Sequence, residues 1–451
     1  MKLAFYGAAR MVSGSSFLLE DGDTRILVDC GLKQGPRYCE IHNFEEFPYS
    51  PKDIDAVLIT HAHIDHIGRI PKLYNDGFRG KIFSTEPTKD FARHMLTDSM
   101  RILSHEAREL DRGPIYDEAD IEGTMSIWDG VEYHEKIEVK GVGIEFHDAG
   151  HVLGSSFIVV TSKDGTKIVF SGDIGNSPAP LINPLDGIGR ADYALIESTY
   201  GGRIHENLNV RRGLLEDIVE ATAKKKGVLM IPAFALERTQ ELLFELNELV
   251  ENGRIPRVQV FLDSPLAAKL TSVYEKYAKN GKYFNKEAIK LGRADDIFEF
   301  PGLRLTESPE ASIAIAEAPS PKIIIAGAGM SNGGRIQHHE KRYLGDARNT
   351  ILFVGYQAEG SLGRKILEGD KTVSIHGENI SVRARVEAIG AYSAHADQPA
   401  IVEWLRETHE SLKKAFLVHG EEDQMNALAG KIRDELAVEV EIPREGDEVI
   451  L

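Results

Sequence analysis

The stretch Thr60-His61-Ala62-His63-Ile64-Asp65-His66-Ile67-Gly68 decides the fold of this chain. Three imidazoles and a carboxylate lie here within six residues, directly after the apolar run Ala56-Val57-Leu58-Ile59. The apolar run predicts a buried strand and residues 64–74 predict a helix, so the polar side chains sit at a strand-to-helix junction. A solvated loop is the alternative, but such a density of histidine and carboxylate is typical of a metal site.

The spacing within this stretch suggests two ions. Residues two apart in an extended chain point the same way, so His61 and His63 can reach one ion together. Asp65 and His66, on the first helical turn, face elsewhere and suit a second ion. Nitrogen and oxygen donors without thiolate favour zinc, with manganese or iron as alternatives, in a site kept open for chemistry.

Length and composition describe an ordinary globular protein. The 451 residues suggest two or three domains, and the hydrophobic fraction is 42%. Apolar runs fall short of the roughly 18 residues of a membrane span, and Arg10 interrupts the start too early for a signal peptide. We therefore expect a cytoplasmic protein without a membrane segment. Cys30 and Cys39 match no zinc-ligand spacing, and we expect reduced thiols rather than a disulfide.

The net charge of −18 argues against tight, non-specific binding of polyanions. It does not exclude a nucleic-acid substrate. Acids that bind metal reverse the local field, and basic residues can line one groove while acids cover the rest of the surface.

Two segments resemble each other across the first half of the chain. Residues 14–19 (GSSFLL) match residues 154–159 (GSSFIV), and each continues through an Asp-Gly turn into a strand followed by an acid, Asp29 or Asp173. Two such hairpins predict two similar half-sheets whose face-to-face packing carries both acids to one rim. Chance similarity of two glycine-bounded hairpins is the alternative. His151 lies just before the second copy, where a ligand is favoured over a core histidine.

The pattern changes after residue 207. Strands and amphipathic helices then alternate, which indicates a parallel sheet covered on both faces. We assign residues 208–372 to this inserted domain, and residues 1–207 and 373–451 to the two parts of the domain that surrounds it. Glu197 ends a strand before the insertion, and His395 and His419 occupy loop and strand ends after it, where sites on α/β scaffolds usually lie.

With the run from Thr60 to His66, His151, Asp173 and His419, the sequence resembles the metallo-β-lactamase superfamily. The insertion, with Glu197 before it and His395 after it, resembles the β-CASP branch of nucleic-acid-processing nucleases. This resemblance covers essentially the whole chain. It implies an α/β protein: a four-layer αβ/βα metallo-β-lactamase fold with an inserted parallel α/β β-CASP domain, and RNA in the cleft between them.

The resemblance also implies a role for each site residue. One zinc would be held by His61, His63, His151 and Asp173, and the other by Asp65, His66, Asp173 and His419. Asp29 would orient ligands and hold the bridging water, as metal sites need outer support. Glu197 would orient His395, which would contact the phosphate or protonate the leaving oxygen.

Two glycine-rich stretches in the insertion, residues 326–335 and 355–364, could cradle phosphate through backbone N–H groups. The residues proposed to bind substrate are Ser331, Gly333, Arg335 and Arg364. A purely structural turn explains the same residues equally well.

We therefore predict a zinc-dependent ribonuclease that hydrolyses RNA phosphodiester bonds with a two-metal-activated hydroxide, endonucleolytically, in RNA processing or decay. It would bind two Zn²⁺ per chain (Mn²⁺ as the alternative) and single-stranded RNA, and the resemblance is compatible with a homodimer. We also expect a bare catalytic core, without the extra C-terminal domain of RNase J enzymes.

Four alternatives remain open. The first is a 5′ exoribonuclease of the same family. DNA instead of RNA is the second. The third is a small-substrate hydrolase of esters, lactones or thioesters, which would not need the insertion, Glu197 or His395. The last is a non-catalytic RNA-processing subunit, although here every ligand position is filled.

Overall fold

The computed structural model describes residues 1–34, 41–206, 210–279, 281–292 and 297–451, and the chain forms two units. The first unit consists of residues 1–179, 183–204 and 395–451, and the second of residues 180–182 and 205–394. Among the described residues, no helix is both long and apolar enough to cross a membrane.

The first sheet of the first unit contains the strand that precedes the histidine-rich stretch. Its strands are β1 (Lys2–Phe5), β2 (Phe17–Asp21), β3 (Thr24–Val28), β4 (Ala56–Leu58), β5 (Lys81–Thr85), β6 (Trp128–Val131) and β22 (Glu448–Ile450), in the order β22-β1-β2-β3-β4-β5-β6. The hairpin β2–β3 is antiparallel, and β3 then pairs with β4 in parallel.

The second sheet repeats this arrangement. Its strands are β7 (Lys136–Val139), β8 (Val142–Asp148), β9 (Ser156–Thr161), β10 (Lys167–Phe170), β11 (Tyr193–Glu197), β20 (Lys414–Val418) and β21 (Glu439–Glu441), in the order β21-β20-β11-β10-β9-β8-β7. The hairpin β9–β10 is antiparallel and β10 pairs with β11 in parallel, just as β2, β3 and β4 do. The internal repeat seen in the sequence thus corresponds to two equivalent hairpins, one in each sheet.

The two sheets of this unit share one apolar core. Alternation along β9 shows why both faces are apolar: Ile158 and Val160 lie in the core between the sheets, with Phe17 of β2. Phe157 and Val159 point the other way and pack with Trp404 in a separate core. A strand buried on both faces needs apolar residues at every position, because successive side chains alternate between faces.

Helices form the outer layers of this unit. They are α1 (Ile64–Ile67), α2 (Ile70–Asn75), α3 (Glu86–Glu109), α4 (Glu118–Ser126), α12 (Gln398–Arg406) and α13 (Glu422–Leu436), with 3₁₀ turns at His42–Phe44 and Pro51–Asp53. Helix α3 contacts β5 and β6, and α12 and α13 supply the outer core of the second sheet. The layers are therefore αβ/βα, as the family resemblance implied.

The predicted single helix over residues 64–74 is wrong, because two short helices replace it. In a continuous helix the ring of Pro71 would clash with the carbonyl of Ile67, and Pro71 has no N–H to donate. Instead the chain turns at Gly68 and Arg69, and the Arg69 N–H donates to the carbonyl of Cys30 (2.8 Å). Cys30 itself is a buried free thiol, whereas Cys39 lies outside the described residues.

The second unit is built on a parallel sheet. Its strands are β12 (Val228–Pro232), β13 (Gln259–Asp263), β14 (Leu303–Leu305), β15 (Lys322–Ala326), β16 (Thr350–Phe353) and β19 (Arg385–Ala388), in the order β14-β13-β15-β12-β16-β19, beside a hairpin of β17 (Thr372–Ile375) and β18 (Glu378–Ser381). Its helices are α5 (Arg211–Lys224), α6 (Arg238–Glu251), α7 (Pro265–Ala278), α8 (Lys286–Gly292), α9 (Pro309–Ala314), α10 (Ile336–Tyr343) and α11 (Leu362–Leu367), with 3₁₀ turns at Ile315–Glu317 and Gly390–Tyr392.

The end of the second unit differs from the predicted domain boundary at residue 372. Strand β19 pairs in parallel with β16, so the sheet of the second unit continues to Ala388. The sequence of an edge strand such as β19 predicts a strand but does not show which sheet it joins, because the same pattern fits either unit.

Candidate metal centre

The polar residues of the centre follow the carboxyl ends of parallel strands in the first unit. Val28 of β3 pairs with Leu58 of β4, and Glu197 of β11 pairs with Val418 of β20. Because parallel neighbours end at the same edge of a sheet, the residues that follow them lie together. The backbone register thus brings distant parts of the chain to one place.

Four side chains form the first group: His61, His63, His151 and Asp173. The Nε2 of His61 lies 3.0 Å from Nδ1 of His63 and 3.3 Å from Oδ2 of Asp173. The Nε2 of His151 lies 3.3 Å from the same His63 nitrogen and 3.5 Å from the same Asp173 oxygen. Ligands about 2.0–2.1 Å from a tetrahedral zinc are roughly 3.3–3.4 Å apart, so these distances fit one zinc-sized ion.

The second group consists of Asp65, His66 and His419, next to the other oxygen of Asp173. The Nε2 of His419 lies 3.2 Å from Oδ2 of Asp65, and the Nε2 of His66 lies 3.9 Å from that oxygen. Oδ1 of Asp173 is 3.4 Å from the His66 Nε2. The two oxygens of Asp173 therefore face different groups, which is the arrangement of a carboxylate that bridges two ions.

An oxygen of Asp173 supports this fit independently. Oδ1 is buried and, within the described part of the chain, has no hydrogen-bond partner. A buried carboxylate oxygen without a donor is costly unless a cation satisfies it. The residues present thus fit divalent metal, and all seven predicted ligands are brought together here.

Burial keeps the first three imidazoles neutral. It lowers the pKa of His61 to about 4 and that of His63 to about 3, with mutual repulsion between the histidines adding to the shift. Burial also lowers the pKa of His151 well below its ordinary value. Only the neutral imidazole has a lone pair for a metal, so these nitrogens are in the binding form at neutral pH.

The other two imidazoles behave in the opposite way. Burial lowers the pKa of His66 and His419, but the negative charge of Asp173 outweighs it, so both pKa values lie above the ordinary value. Asp29 and Asp65 add to this shift, at His66 and His419 respectively. A cation bound here has to compete with protons, so metal affinity in this group falls as pH falls.

Asp29 holds His66 from the side opposite Asp173. Its Oδ2 lies 2.8 Å from Nδ1 of His66 and accepts from the Thr60 hydroxyl at 2.8 Å, while its Oδ1 accepts from the Thr60 N–H at 2.9 Å. Both acids of the sequence repeat therefore contact one imidazole, one at each nitrogen. A proton on Nδ1 facing Asp29 leaves Nε2 as the donor to a metal.

Thr199 plays the corresponding part for His419, and sequence reasoning missed it. Its Oγ1 lies 3.2 Å from Nδ1 of His419, which leaves Nε2 facing Asp65. A threonine 220 residues from the histidine that it contacts gives no sequence signal. Its position two residues after Glu197 at the end of β11 was the only available indication.

Glu197 and His395 form a pair beside the first group. The Oε1 of Glu197 lies 2.9 Å from Nδ1 of His395, and the carboxylate also accepts from the N–H groups of Ile174 (2.9 Å) and Thr199 (3.1 Å). The ring of His395 lies 4.7 Å from that of His151. Burial lowers the pKa of His395, but Glu197 and then Asp173 outweigh it and raise the pKa to about 9.

Tight backbone contacts fix the loops that carry these groups. Asp29 (φ 59°) and His419 (φ 49°) both adopt the left-handed conformation, which is uncommon for non-glycine residues and clusters at functional sites. A Cβ on Gly31 would lie 1.6 Å from the carbonyl oxygen of Asp65. Only glycine allows these two loops to approach so closely.

The residues predicted to bind substrate lie in the second unit. The hydroxyl of Ser331 donates to Glu340 (2.5 Å). The guanidinium of Arg335 donates to Asp263 (2.8 Å) and to two backbone carbonyls, and Arg364 donates to Glu368 (2.6 Å). A Cβ on Gly333 would meet open space. These contacts give Ser331 and Arg335 roles within the fold, and the assignment of all four to substrate stays a prediction.

Three known protein families match successive parts of the chain. The metallo-beta-lactamase superfamily matches residues 9–208, and the Beta-Casp domain matches residues 239–366. The Zn-dependent metallo-hydrolase RNA specificity domain matches residues 379–443.

Curated relatives match over most of the chain. A ribonuclease of Thermus thermophilus is 38% identical over 100% of both chains. A transcription termination factor of Methanosarcina mazei is 30% identical over 97% of this chain and 70% of its own. The cleavage and polyadenylation specificity factor 73 of Drosophila melanogaster is 30% identical over 94% of this chain and 60% of its own.

A solved structure of a protein of unknown function from Enterococcus faecalis V583 covers 100% of this chain and 99% of its own, with a TM-score of 0.56 and 13% identity. At that identity the likeness concerns the fold alone.

Proposed function

We propose a function for this chain from its family, since it belongs to the β-CASP branch of the metallo-β-lactamase superfamily and is a metal-dependent nuclease. Its relatives and its RNA specificity domain support RNA as the substrate. Beyond this, we propose a zinc-dependent endoribonuclease that cleaves single-stranded RNA with two zinc ions per chain. The observation that carries the proposal is the convergence of two ligand groups on the two oxygens of Asp173.

The first zinc would be held by His61, His63, His151 and Asp173, and the second by Asp65, His66, Asp173 and His419. Two such cations, when bound, supply an activated water and neutralise charge on a phosphate under attack. The protein supplies the orientation. Asp29 holds the His66 ring through Nδ1, the nitrogen that faces away from Asp173. Thr199 contacts Nδ1 of His419, which also lies 3.6 Å from Oδ1 of Asp173, while Nε2 of that ring faces Asp65.

His395 is proposed to handle the proton of the leaving group. Glu197 accepts from Nδ1 of His395 and, against the opposing effect of burial, raises the pKa of the ring, which favours a second proton on Nε2. That N–H can donate to a phosphate oxygen or to the departing hydroxyl. Substitution of His395 by Ala should slow cleavage while the bound metal is retained.

The deciding experiment is cleavage of RNA and DNA of matched sequence by the zinc-loaded protein. We expect RNA to be cut and activity to be lost with a chelator and restored by zinc. Faster turnover of a chromogenic ester than of RNA would overturn the proposal in favour of a small-substrate hydrolase. A zinc content well below two per chain, without cleavage, would support a non-catalytic subunit instead.

A different substrate is needed to distinguish internal cleavage from stepwise cleavage at the 5′ end. RNA labelled at its 5′ end and interrupted by a stable hairpin should give labelled fragments from both sides of the hairpin if cleavage is internal. Release of the labelled 5′ nucleotide as the sole labelled product, with or without the hairpin, would show a 5′ exoribonuclease. The homodimer and the cytoplasmic location stay predictions.

A further inference from the structure

A second cluster of metal-binding side chains lies in the first unit, outside the centre described above. It consists of His134, His147 and Asp186, whose ligand atoms all lie within 4.8 Å of one another. The Nε2 of His134 is 3.4 Å from Oδ2 of Asp186, close to the spacing of about 3.3–3.4 Å for two ligands on one tetrahedral zinc. We propose that this cluster binds a further divalent transition-metal ion of the zinc class.

The carboxylate of the cluster is fixed before any ion binds. The backbone N–H of Asp186 donates to the carbonyl of Asp148, and its Oδ2 accepts from the Asp148 N–H, both at 2.9 Å. The Asp186 carbonyl accepts from the indole of Trp404 at 2.9 Å. A ligand held by three hydrogen bonds loses little freedom on binding metal, which favours affinity.

The two imidazoles are also positioned by the fold. His147 stacks on Phe157 with ring centroids 4.9 Å apart and an interplanar angle of 9°. The ring of His134 lies edge-on to that of His147, at 4.8 Å. His134 has φ 62°, a left-handed backbone conformation that is uncommon for residues other than glycine.

The site is open on one side. The side chain of His134 is 60% exposed and that of Asp186 34% exposed, so an ion can enter from solvent and water can complete its coordination. Two histidines and one carboxylate are a donor set that binds zinc in proteins.

An ion at this cluster would stabilise the loop that leads to His151 in the metal centre described above. Asp148, which anchors Asp186, also accepts from the N–H of Gly150 through Oδ1 at 2.9 Å. Gly150 directly precedes His151. We therefore assign the cluster a supporting role, one that does not depend on the identity of the substrate.

The test counts zinc on the full chain after dialysis against buffered Zn²⁺, by mass spectrometry of the metal. Wild type should hold one more ion per chain than His134→Gln or Asp186→Asn, whether the main centre holds one ion or two. The Asn side chain keeps an oxygen for the Asp148 N–H. His409→Gln, at a half-buried imidazole whose Nδ1 lies 2.6 Å from the Arg406 carbonyl oxygen, is the matched control and should leave the count unchanged.

A second measurement separates this proposal from the proposed function. In an Asp173→Ala chain, in which the main centre is broken, Co²⁺ titration should still give visible absorption from one site, and adding His134→Gln should remove it. Equal zinc counts in wild type and His134→Gln, or the same loss in His409→Gln, would overturn the proposal.

Discussion

Replacing Glu197 by Gln should move the pH dependence of cleavage. The carboxylate lies 2.9 Å from Nδ1 of His395 and, together with Asp173, raises the pKa of His395 to about 9 against the opposing effect of burial. Glutamine keeps the shape and one acceptor but removes the charge. Without that charge, only Asp173 and the weaker effect of Asp65 oppose burial, so the pKa of His395 should fall towards its ordinary value of about 6.5.

The size of the effect follows from this difference. A fall of about 2.5 pKa units corresponds to about 3.4 kcal/mol of lost stabilisation of the charged imidazole. In the metal-free site the protonated fraction at pH 7.5 would drop from about 97% to about 9%. Bound cations lower both pKa values, so cleavage by the zinc-loaded variant should slow by about tenfold or more at this pH. At a pH below the lowered pKa values the loss should disappear, because His395 is then protonated in both proteins.

The assay is a single-turnover rate of cleavage of labelled RNA, measured from pH 5.5 to 10 at saturating zinc. A raised pKa means that activity is lost as pH rises through it, so the alkaline limb should lie at lower pH in Glu197→Gln. Bound cations lower the pKa of His395 in both proteins, so the difference between the two limbs is the measured quantity.

Two controls accompany this measurement. Zinc content and melting temperature show whether the variant is folded and metal-loaded. Glutamine leaves one of the two backbone N–H groups that donate to Glu197 without a partner, which should destabilise the fold by about 1–3 kcal/mol. His395→Gln should remove the alkaline limb altogether. If the limb of Glu197→Gln stays where that of wild type lies, Glu197 does not control the protonation of His395.

Three further predictions concern the metal groups. Asp173→Ala removes the oxygens that face both groups, so the zinc of these two groups should be lost, leaving only the ion proposed at His134, His147 and Asp186, and cleavage should be undetectable, with the far-ultraviolet circular dichroism unchanged. Thr199→Val removes the hydroxyl 3.2 Å from Nδ1 of His419, and zinc affinity measured by competition with a chelator should weaken about 10–100-fold. Gly31→Ala places a methyl group 1.6 Å from the Asp65 carbonyl oxygen, which should cost about 1–3 kcal/mol or more in unfolding experiments and lower the zinc content.

Each of these has an outcome that would contradict it. Equal zinc counts in Asp173→Ala and wild type would show that Asp173 does not bridge the groups. Unchanged affinity in Thr199→Val would mean that the hydroxyl does not orient His419. Gly113→Ala is the matched control for Gly31→Ala, because its methyl group would meet no atom within 4 Å and should leave stability nearly unchanged.

Some of the site was readable in the sequence because its members lie close together along the chain. The composition and spacing of residues 61–66 predict a metal site without further information. The strand before them places that site at a strand end. The repeat of GSSFLL and GSSFIV was readable as well, and it placed Asp29 and Asp173 at equivalent strand ends. The helix over residues 64–74 was misjudged because the pattern of apolar residues continues past the point where Pro71 prevents a continuous helix.

The sequence by itself determined the ligand types, the two half-sheets and the α/β insertion, because these depend on local spacing and periodicity. Only the tertiary structure decided which histidine nitrogens face the ligand groups, that the two oxygens of Asp173 face different groups, and that Thr199 contacts His419. The structure also brought His134, His147 and Asp186 together. Such contacts arise because strand pairing joins segments that are far apart in the chain. A local sequence pattern does not show which distant side chains become neighbours through that pairing.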